Sequence, residues 1–328
     1  MEFGEIPLRD SVGGILAHSY KVEGGRIRKG GVLGPDEIAR LEAAGIEAVV
    51  VARPGPEDVT EDVAAARIAE ATVPDPAAAG LRLTEAATGR VNLYATGPGV
   101  VRMDQHALHR LNLIDPMLTV ATLPPFARVA AGTMVATVKI ISYALPETSV
   151  IEAERMAPAA LSIAPVVLRD ATLIITHMGD GAGKGEAAVA TRLDRLGMRL
   201  SEVKVVPHDA PAIAEALGAV DSDLALLLTA SATSDVRDVG PTGLTDAGGT
   251  LTRFGMPVDP GNLLFYGRIG ARPVIGLPGC ARSPALNGAD WVLERICCGV
   301  GPTGEEIAAM GVGGLLKESP SRPHPRAG

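Results

Sequence analysis

Apolar positions follow two different spacings between residues 165 and 298. Short β-rich apolar runs alternate with segments in which apolar residues recur every three or four positions. The first spacing predicts strands and the second predicts amphipathic helices. The run LALLL, inside the segment 223–231, is wholly apolar, as is typical of a central parallel strand that is buried on both faces. We therefore predict a doubly wound α/β domain over residues 165–316.

The elements of this domain follow from the two spacings and from the glycines and prolines between them. Strands are predicted at the end of 166–178, over 203–208 and 223–231, and in three runs within 250–277. Helices are predicted over 185–198, 210–220, 238–248 and 283–298.

The first 160 residues show a less regular pattern and are predicted to form a smaller α+β region. A helix and then a strand are predicted within 36–52, and further helices over 57–71, near 104–112 and over 147–160. Residues 81–141 combine β-branched runs with glycine and proline turns, which predicts a β-rich unit. The polar, proline-rich segment 317–328 is predicted to be a flexible tail.

Composition excludes several classes of function. The net charge is −8 and only 3% of residues are aromatic, so neither a basic nucleic-acid surface nor a base-stacking platform is expected. Three cysteines are too few for a disulfide framework, and no CxxC pair suggests a zinc site. Without an apolar leader or a long apolar run, we expect a cytoplasmic protein with no membrane segment.

Candidate chemistry follows three of the predicted strands. Ligands of open α/β sheets bind beyond the carboxyl ends of the strands, often at helix N-termini that suit an anion. The first loop, MGDGAGKGE, contains Gly179, Asp180 and Lys184. Its spacing departs from that of a P-loop, which leaves either an anion-binding glycine turn or a plain tight turn.

The second loop, residues 229–238, is dense in small polar groups. Thr229, Ser231, Thr233 and Ser234 precede two acids, Asp235 and Asp238. The two carboxylates are candidates for catalysis and for one Mg²⁺ ion. The alternative is a structural one, in which these side chains cap the following helix.

The third loop places Gly279, Arg282 and Ser283 at the start of the closing helix, a pattern that favours phosphate. Cys280 fits a small buried residue better than a nucleophile, because no histidine lies close to it in sequence. A fourth loop, GMPVDPGNLL, is either functional or a capped turn. His106 and His109 share one helix face and are expected at the surface.

These loops together resemble the molybdopterin-binding domain of molybdenum cofactor synthesis. Its members typically carry T-G-G-x-S-x-G-x-x-D, then P-G-K-P, then L-P-G-N-P-x-S. The positions that match are Thr229, Asp238, Pro260, Gly261, Leu277, Pro278, Gly279 and Ser283. The resemblance covers residues 165–298 well and 20–55 loosely, and it implies binding of molybdopterin at these loops.

Other positions depart from the family pattern. Ala230, Ser231 and Asp235 replace glycines, Asn262 replaces the lysine, and Cys280-Ala281 replaces N-P. The chain therefore resembles a divergent subgroup of the family.

Three functions remain open at this point. The chain could be a transferase that inserts molybdenum or passes the cofactor on, a carrier or chaperone without chemistry, or a nucleotide pyrophosphatase. The resemblance also implies cofactor-pathway enzymes as partners and a homodimer, because the related transferases are homodimers.

Overall fold

The computed structural model describes residues 1–179 and 185–316. Its contacts divide the chain into two compact units. Unit 1 contains residues 1–96, 101–127 and 131–163. Unit 2 contains residues 97–100 and 128–130 and the chain from Ala164 onward.

Unit 1 begins with a small antiparallel sheet and one helix. Its elements are β1 (Glu2–Pro7), β2 (Ile15–Leu16), β3 (Tyr20–Val22), β4 (Gly25–Ile27), α1 (Pro35–Ala43) and β5 (Ala48–Arg53). Strand β5 lies between β1 and β2, and β3 pairs with β4 as a hairpin. Pro35 opens α1, where its missing N–H has no cost, and Leu41 of that helix packs with Leu16 and Val49 in the core.

Residues 58–165 are rich in strands and belong to unit 1 except for 97–100, 128–130 and 164–165. The elements are β6 (Asp58–Thr60), α2 (Glu61–Thr72), β7 (Leu81–Leu83), β8 (Arg90–Ala95), β9 (Gly99–Met103), α3 (Gln105–Ile114), β10 (Leu118–Thr122), β11 (Arg128–Val129), β12 (Met134–Ile140), β13 (Ala144–Pro146), α4 (Glu147–Met156) and β14 (Leu161–Pro165). A four-stranded antiparallel sheet has the order β10-β12-β8-β7. The prediction that a helix begins at residue 57 is wrong, because residues 58–60 pair with β13.

Unit 2 alternates strands and helices. Its elements are β15 (Asp170–His177), α5 (Glu186–Asp194), β16 (Arg199–Pro207), α6 (Ala210–Gly218), β17 (Leu224–Leu228), α7 (Val239–Asp246), β18 (Thr250–Phe254), β19 (Phe265–Ile269), β20 (Arg272–Leu277), α8 (Gly288–Cys297) and α9 (Gly304–Ala309). Each predicted strand and helix of this region is present, with shifted ends. Helix α9 was not predicted.

One six-stranded sheet organises unit 2, in the order β16-β15-β17-β20-β19-β18. The first four strands are parallel, and β19 and β18 are antiparallel to their neighbours. The chain crosses from β15 to β16 on one side and then returns to β17 on the other side of β15. The strand order therefore reverses between β15 and β17, which defines the switch point of the sheet.

Helices cover both faces of this sheet. On one face, Val189 of α5 and Val292 of α8 pack against the strands, and on the other face Ile213 of α6 and Leu244 of α7 do so. All five residues of β17 are buried, as expected for a strand between two helical layers. The predicted α/β class, with helices on both sides of the sheet, is confirmed.

Among the residues that the structure describes, no helix has both the length and the apolar character needed to cross a membrane.

Candidate functional site

The end of β15 and the loops that follow β17 and β20 lie together at the switch point of the unit 2 sheet. The amide of Ala230 donates to the Thr176 hydroxyl at 2.7 Å, which ties the second loop to the end of β15. Arg282 donates from Nη2 to the carbonyl oxygen of Thr229 at 2.8 Å, which ties the third loop to the second. A Cβ atom on Gly185 would lie 3.2 Å from Cγ of Arg282. We call the region around Thr176, Gly185, Thr229, Ala230 and Arg282 the switch-point crevice.

The second loop is folded by its own hydroxyl groups. Thr229 and Thr233 are buried, and the Thr229 hydroxyl donates to the carbonyl of Ser231 at 2.7 Å. The two threonine hydroxyls lie 3.3 Å apart. Ser231 and Ser234 are exposed. In this loop the serine side chains therefore face solvent, and the threonine hydroxyls hold the turn.

The two acids of this loop have separate partners. The Asp235 carboxylate pairs with the guanidinium of Arg237 at 2.9 Å, and this hydrogen bond lowers the pKa of Asp235. Asp238 accepts the Val239 amide on Oδ1 at 2.8 Å and the Ser234 amide on Oδ2 at 3.0 Å. Asp238 is thus the N-cap of α7, which is the structural alternative stated above.

These contacts do not fit a preformed Mg²⁺ site. No group of three His, Cys, Asp or Glu side chains is close enough to hold a metal ion within residues 1–179 and 185–316. The carboxylate oxygens of Asp235 and Asp238 instead accept hydrogen bonds from the Arg237 guanidinium and from backbone amides.

The third loop differs from the prediction. Gly279–Arg282 form a short 3-10 helix, and Ser283 ends that turn in extended conformation. The closing helix α8 begins only at Gly288, so the placement of Gly279, Arg282 and Ser283 at its start is wrong. The physical reason is a capping box, in which Asn287 accepts the Ala289 amide and Asp290 accepts the Asn287 amide.

Arg282 is the described cation of the crevice. Its side chain is half-buried between the second and third loops, and burial lowers its pKa from the ordinary arginine value. An arginine remains protonated under such conditions, so the crevice holds a positive charge with reduced access to water.

A second arginine, which the sequence reasoning missed, shapes the third loop from behind. Arg192 of α5 is buried and pairs with Asp290 of α8. Its Nη1 donates to the carbonyl of Ala281 at 2.8 Å, and its Nη2 donates to the carbonyl of Ser283 at 2.8 Å. The available signal was an arginine placed four residues after Ala188, between Val189 and Leu193 on the apolar face of the predicted helix.

The fourth loop lies against the start of α8. The carbonyl of Pro260 accepts the amide of Gly288 at 2.8 Å, and a Cβ on Gly261 would lie 2.6 Å from that amide nitrogen. Asn262 is exposed and lines a separate cleft of about 320 Å³ together with Asp259. The described contacts connect this loop to the crevice through the first turn of α8.

Pro278 and Gly279 follow β20 directly, and the Pro278 carbonyl accepts the amide of Ala281 at 2.8 Å. Gly179 is exposed, and its carbonyl oxygen lies 2.8 Å from Nδ1 of His177. Asp180 and Lys184 lie outside the residues that the structure describes. His106 and His109 are exposed on α3, as predicted.

Residues 5–53 match a family described as a domain of unknown function, DUF8806. No curated protein matches the chain.

Three solved structures are similar to the chain. A molybdopterin biosynthesis MoeA protein from Pyrococcus horikosii shares 12% identity at a TM-score of 0.31, over 91% of this chain and 75% of that one. A molybdenum cofactor biosynthesis protein from Pyrococcus furiosus shares 14% identity at a TM-score of 0.24, over 86% of this chain and 59% of that one. The CinA protein of unknown function from Thermoplasma acidophilum shares 15% identity at a TM-score of 0.30, over 35% of this chain and 90% of that one. Similarity at this level carries no inference about activity.

Proposed function

We propose that unit 2 binds a phosphate-bearing small molecule in the switch-point crevice, and that this molecule is molybdopterin or a nucleotide-linked form of it. The observation that carries the proposal is the position of Arg282. Its guanidinium lies at the carboxyl ends of the parallel strands, bonded to the Thr229 carbonyl beside a loop of small residues. Sheets of this class bind their ligands at that place.

The chemistry of the crevice favours an anion. The chain carries a net charge of −8, so the half-buried Arg282 is a local positive charge in a protein that is negative overall. Low access to water strengthens the attraction between that cation and a phosphate. Small side chains at Ala230, Ser231 and Ala232, all exposed, let a ligand approach the backbone amides of the loop.

The predicted binding residues contribute to this proposal in two ways. Gly179, Ser231, Ser234, Pro278, Gly279, Arg282 and Ser283 would line or adjoin the ligand. Thr229, Thr233, Pro260, Gly261 and Asn262 would hold the surrounding loops.

Binding without chemistry, as in a carrier, is the form of the function that we favour over molybdenum transfer. The carboxylates of Asp235 and Asp238, the predicted catalytic and metal-binding groups, are bonded to Arg237 and to backbone amides. We therefore propose no step through Mg²⁺ and assign Asp238 to holding the second loop. In this proposal the partners are enzymes of the cofactor pathway, and the chain acts as a homodimer.

Recovery of the bound ligand tests the proposal. The protein is purified from cells that make molybdenum cofactor, the bound material is oxidised, and pterin fluorescence is measured per mole of chain. We expect a phosphorylated pterin with the wild type and at least fivefold less with Arg282→Ala. Equal recovery of pterin from the two proteins would show that the ligand does not bind in the crevice. Absence of pterin from both proteins would show that the ligand is not a pterin.

A catalytic role has its own test. Incubation with a pterin dinucleotide would release a mononucleotide if the chain were a pyrophosphatase, and incubation with molybdate and adenylated molybdopterin would yield active cofactor if it were a transferase. The carrier form of the proposal predicts neither product.

A further inference from the structure

The buried guanidinium of Arg192 uses all of its donors. Only 6% of the side chain is exposed. Nη1 donates to the carbonyls of Ala188 at 3.2 Å and Ala281 at 2.8 Å, and Nη2 donates to those of Ser283 at 2.8 Å and Ala285 at 3.1 Å. Nε donates to the carboxylate of Asp290. The five N–H groups of the guanidinium therefore have five acceptors.

Three of these acceptors belong to the loop that carries Arg282. The carbonyls of Ala281, Ser283 and Ala285 alternate along the chain, and all three turn toward α5. A carbonyl oxygen carries partial negative charge, so the same three groups would repel a phosphate if they faced the crevice. Arg192 holds them toward α5.

The charge of Arg192 is compensated where it lies. Asp290 pairs with it and is itself nearly buried, with 10% of its side chain exposed. The guanidinium therefore does not act as an anion ligand. A lysine could keep the ion pair, but its single ammonium could not reproduce the planar fork that bonds several carbonyls at once.

We propose that Arg192 is a positioning residue of the switch-point crevice: it orients the carbonyls of residues 281–285 away from the ligand and so sets the geometry in which Arg282 meets phosphate. This inference rests on the proposed function for the identity of the ligand. The orientation of the loop is tested without any ligand.

The experiment compares Arg192→Lys with Arg295→Lys. Arg295 is also buried, pairs with Glu306 at 2.7 Å and donates to the Val300 carbonyl, and none of these partners belongs to the crevice loops. Both variants thus replace a buried arginine of unit 2 that belongs to an ion pair, and the Arg295 variant controls for a general loss of stability. Inorganic pyrophosphate is the binding probe, titrated calorimetrically at several salt concentrations.

We expect Arg192→Lys to raise the Kd for pyrophosphate at least fivefold and Arg295→Lys to change it less than twofold. The salt dependence of the Kd should stay that of the wild type in Arg192→Lys, because the cation that meets the anion is unchanged. In Arg282→Ala the salt dependence should decrease. Backbone amides within residues 279–286 should exchange with solvent at least tenfold faster in Arg192→Lys, with no ligand present.

A second variant covers the case in which Arg192→Lys does not fold. The pair Arg192→Gln, Asp290→Asn removes both charges together, so it leaves no unpaired charge buried. It should show the same faster exchange and weaker binding.

Three outcomes overturn the inference. They are wild-type exchange in residues 279–286 of the Arg192 variants, equal effects of the Arg192 and Arg295 substitutions on the Kd, and a salt dependence reduced as much as in Arg282→Ala, which would make Arg192 a direct ligand. Failure of the wild type to bind pyrophosphate would instead count against the proposed function, and the exchange comparison would still decide whether Arg192 orders the loop.

Discussion

The substitution Glu294→Gln should remove a pH-dependent loss of stability from unit 2. Glu294 lies on α8 with 14% of its side chain exposed, and its Oε1 is 3.0 Å from Nε of Arg128. Burial raises the pKa of this carboxyl to about 7, and the attraction of Arg128 offsets only part of that rise.

The direction of the effect follows from proton linkage. The pKa of Glu294 is 4.5 without the folded surroundings and about 7 within them. A carboxyl with a raised folded-state pKa contributes stability that is fully present below pH 4.5 and is lost as the pH rises through 7. At about 1.4 kcal/mol per pH unit, the full loss is about 3 kcal/mol, and roughly 2.5 kcal/mol of it falls between pH 5 and pH 8.5.

The single tryptophan of the chain provides the assay. Trp291 lies on α8 and packs against the core of unit 2, so its fluorescence follows the unfolding of that unit. Urea unfolding at pH 5 and pH 8.5 gives the difference in unfolding free energy between variant and wild type. We expect this difference to shift by roughly 2.5 kcal/mol in favour of Glu294→Gln at the higher pH.

Glu306→Gln is the matched control on the next helix. Burial raises the pKa of Glu306, but hydrogen bonds from the Thr303 amide and Arg295 lower it by more, so the net direction is down. Its contribution is present above pH 4.5 and lost below it, and the control should therefore be constant from pH 5 to 8.5. A constant difference for Glu294→Gln as well would refute the reasoning. A shift in favour of the wild type would show that the Arg128 pair outweighs burial.

Asp238→Asn keeps one of the two side-chain oxygens that accept backbone amides. We therefore expect urea unfolding to show about 1 kcal/mol less stability, and the affinity for pyrophosphate to change less than threefold with or without Mg²⁺. A Mg²⁺-dependent loss of affinity of tenfold or more would show that Asp238 is a metal ligand. Light scattering at micromolar concentration should give twice the 33.6 kDa chain mass, and a mass of one chain would remove the predicted homodimer. Cys297 and Cys298 are buried, and burial raises the pKa of both thiols, that of Cys298 to about 11. At pH 8 the native protein should therefore react with a thiol reagent at Cys280 alone. Rapid modification of all three cysteines would contradict the burial of Cys297 and Cys298.

The alternation of elements in unit 2 could be predicted because each element carries its own local pattern. The run LALLL became the central strand β17, and the segment after Gly185 became α5. The start of α8 was harder to predict. Residues 283–286 are apolar or small, so the sequence pattern allows a helix that starts at 283. The capping box of Asn287 and Asp290 instead starts α8 at Gly288.

The convergence of the second and third loops could be anticipated from the topology of parallel strands. The bond between Arg282 and the Thr229 carbonyl follows from the adjacency of β17 and β20. The contacts of Arg192 could not be anticipated, because its loop acceptors lie about ninety residues further along the chain and are carbonyls, which every residue has. No residue type in the sequence marks them.

The most direct test of the central claim is a comparison of affinities between wild type and Arg282→Ala. Each protein is titrated with a phosphorylated pterin and with its dephosphorylated form. Arg237→Ala is the control, since Arg237 is an exposed cation of the second loop that pairs with Asp235. If Arg282 meets the phosphate, Arg282→Ala weakens binding of the phosphorylated form at least tenfold and of the other form less than twofold, and the control changes neither beyond twofold. Equal weakening of the two forms by Arg282→Ala would contradict the account.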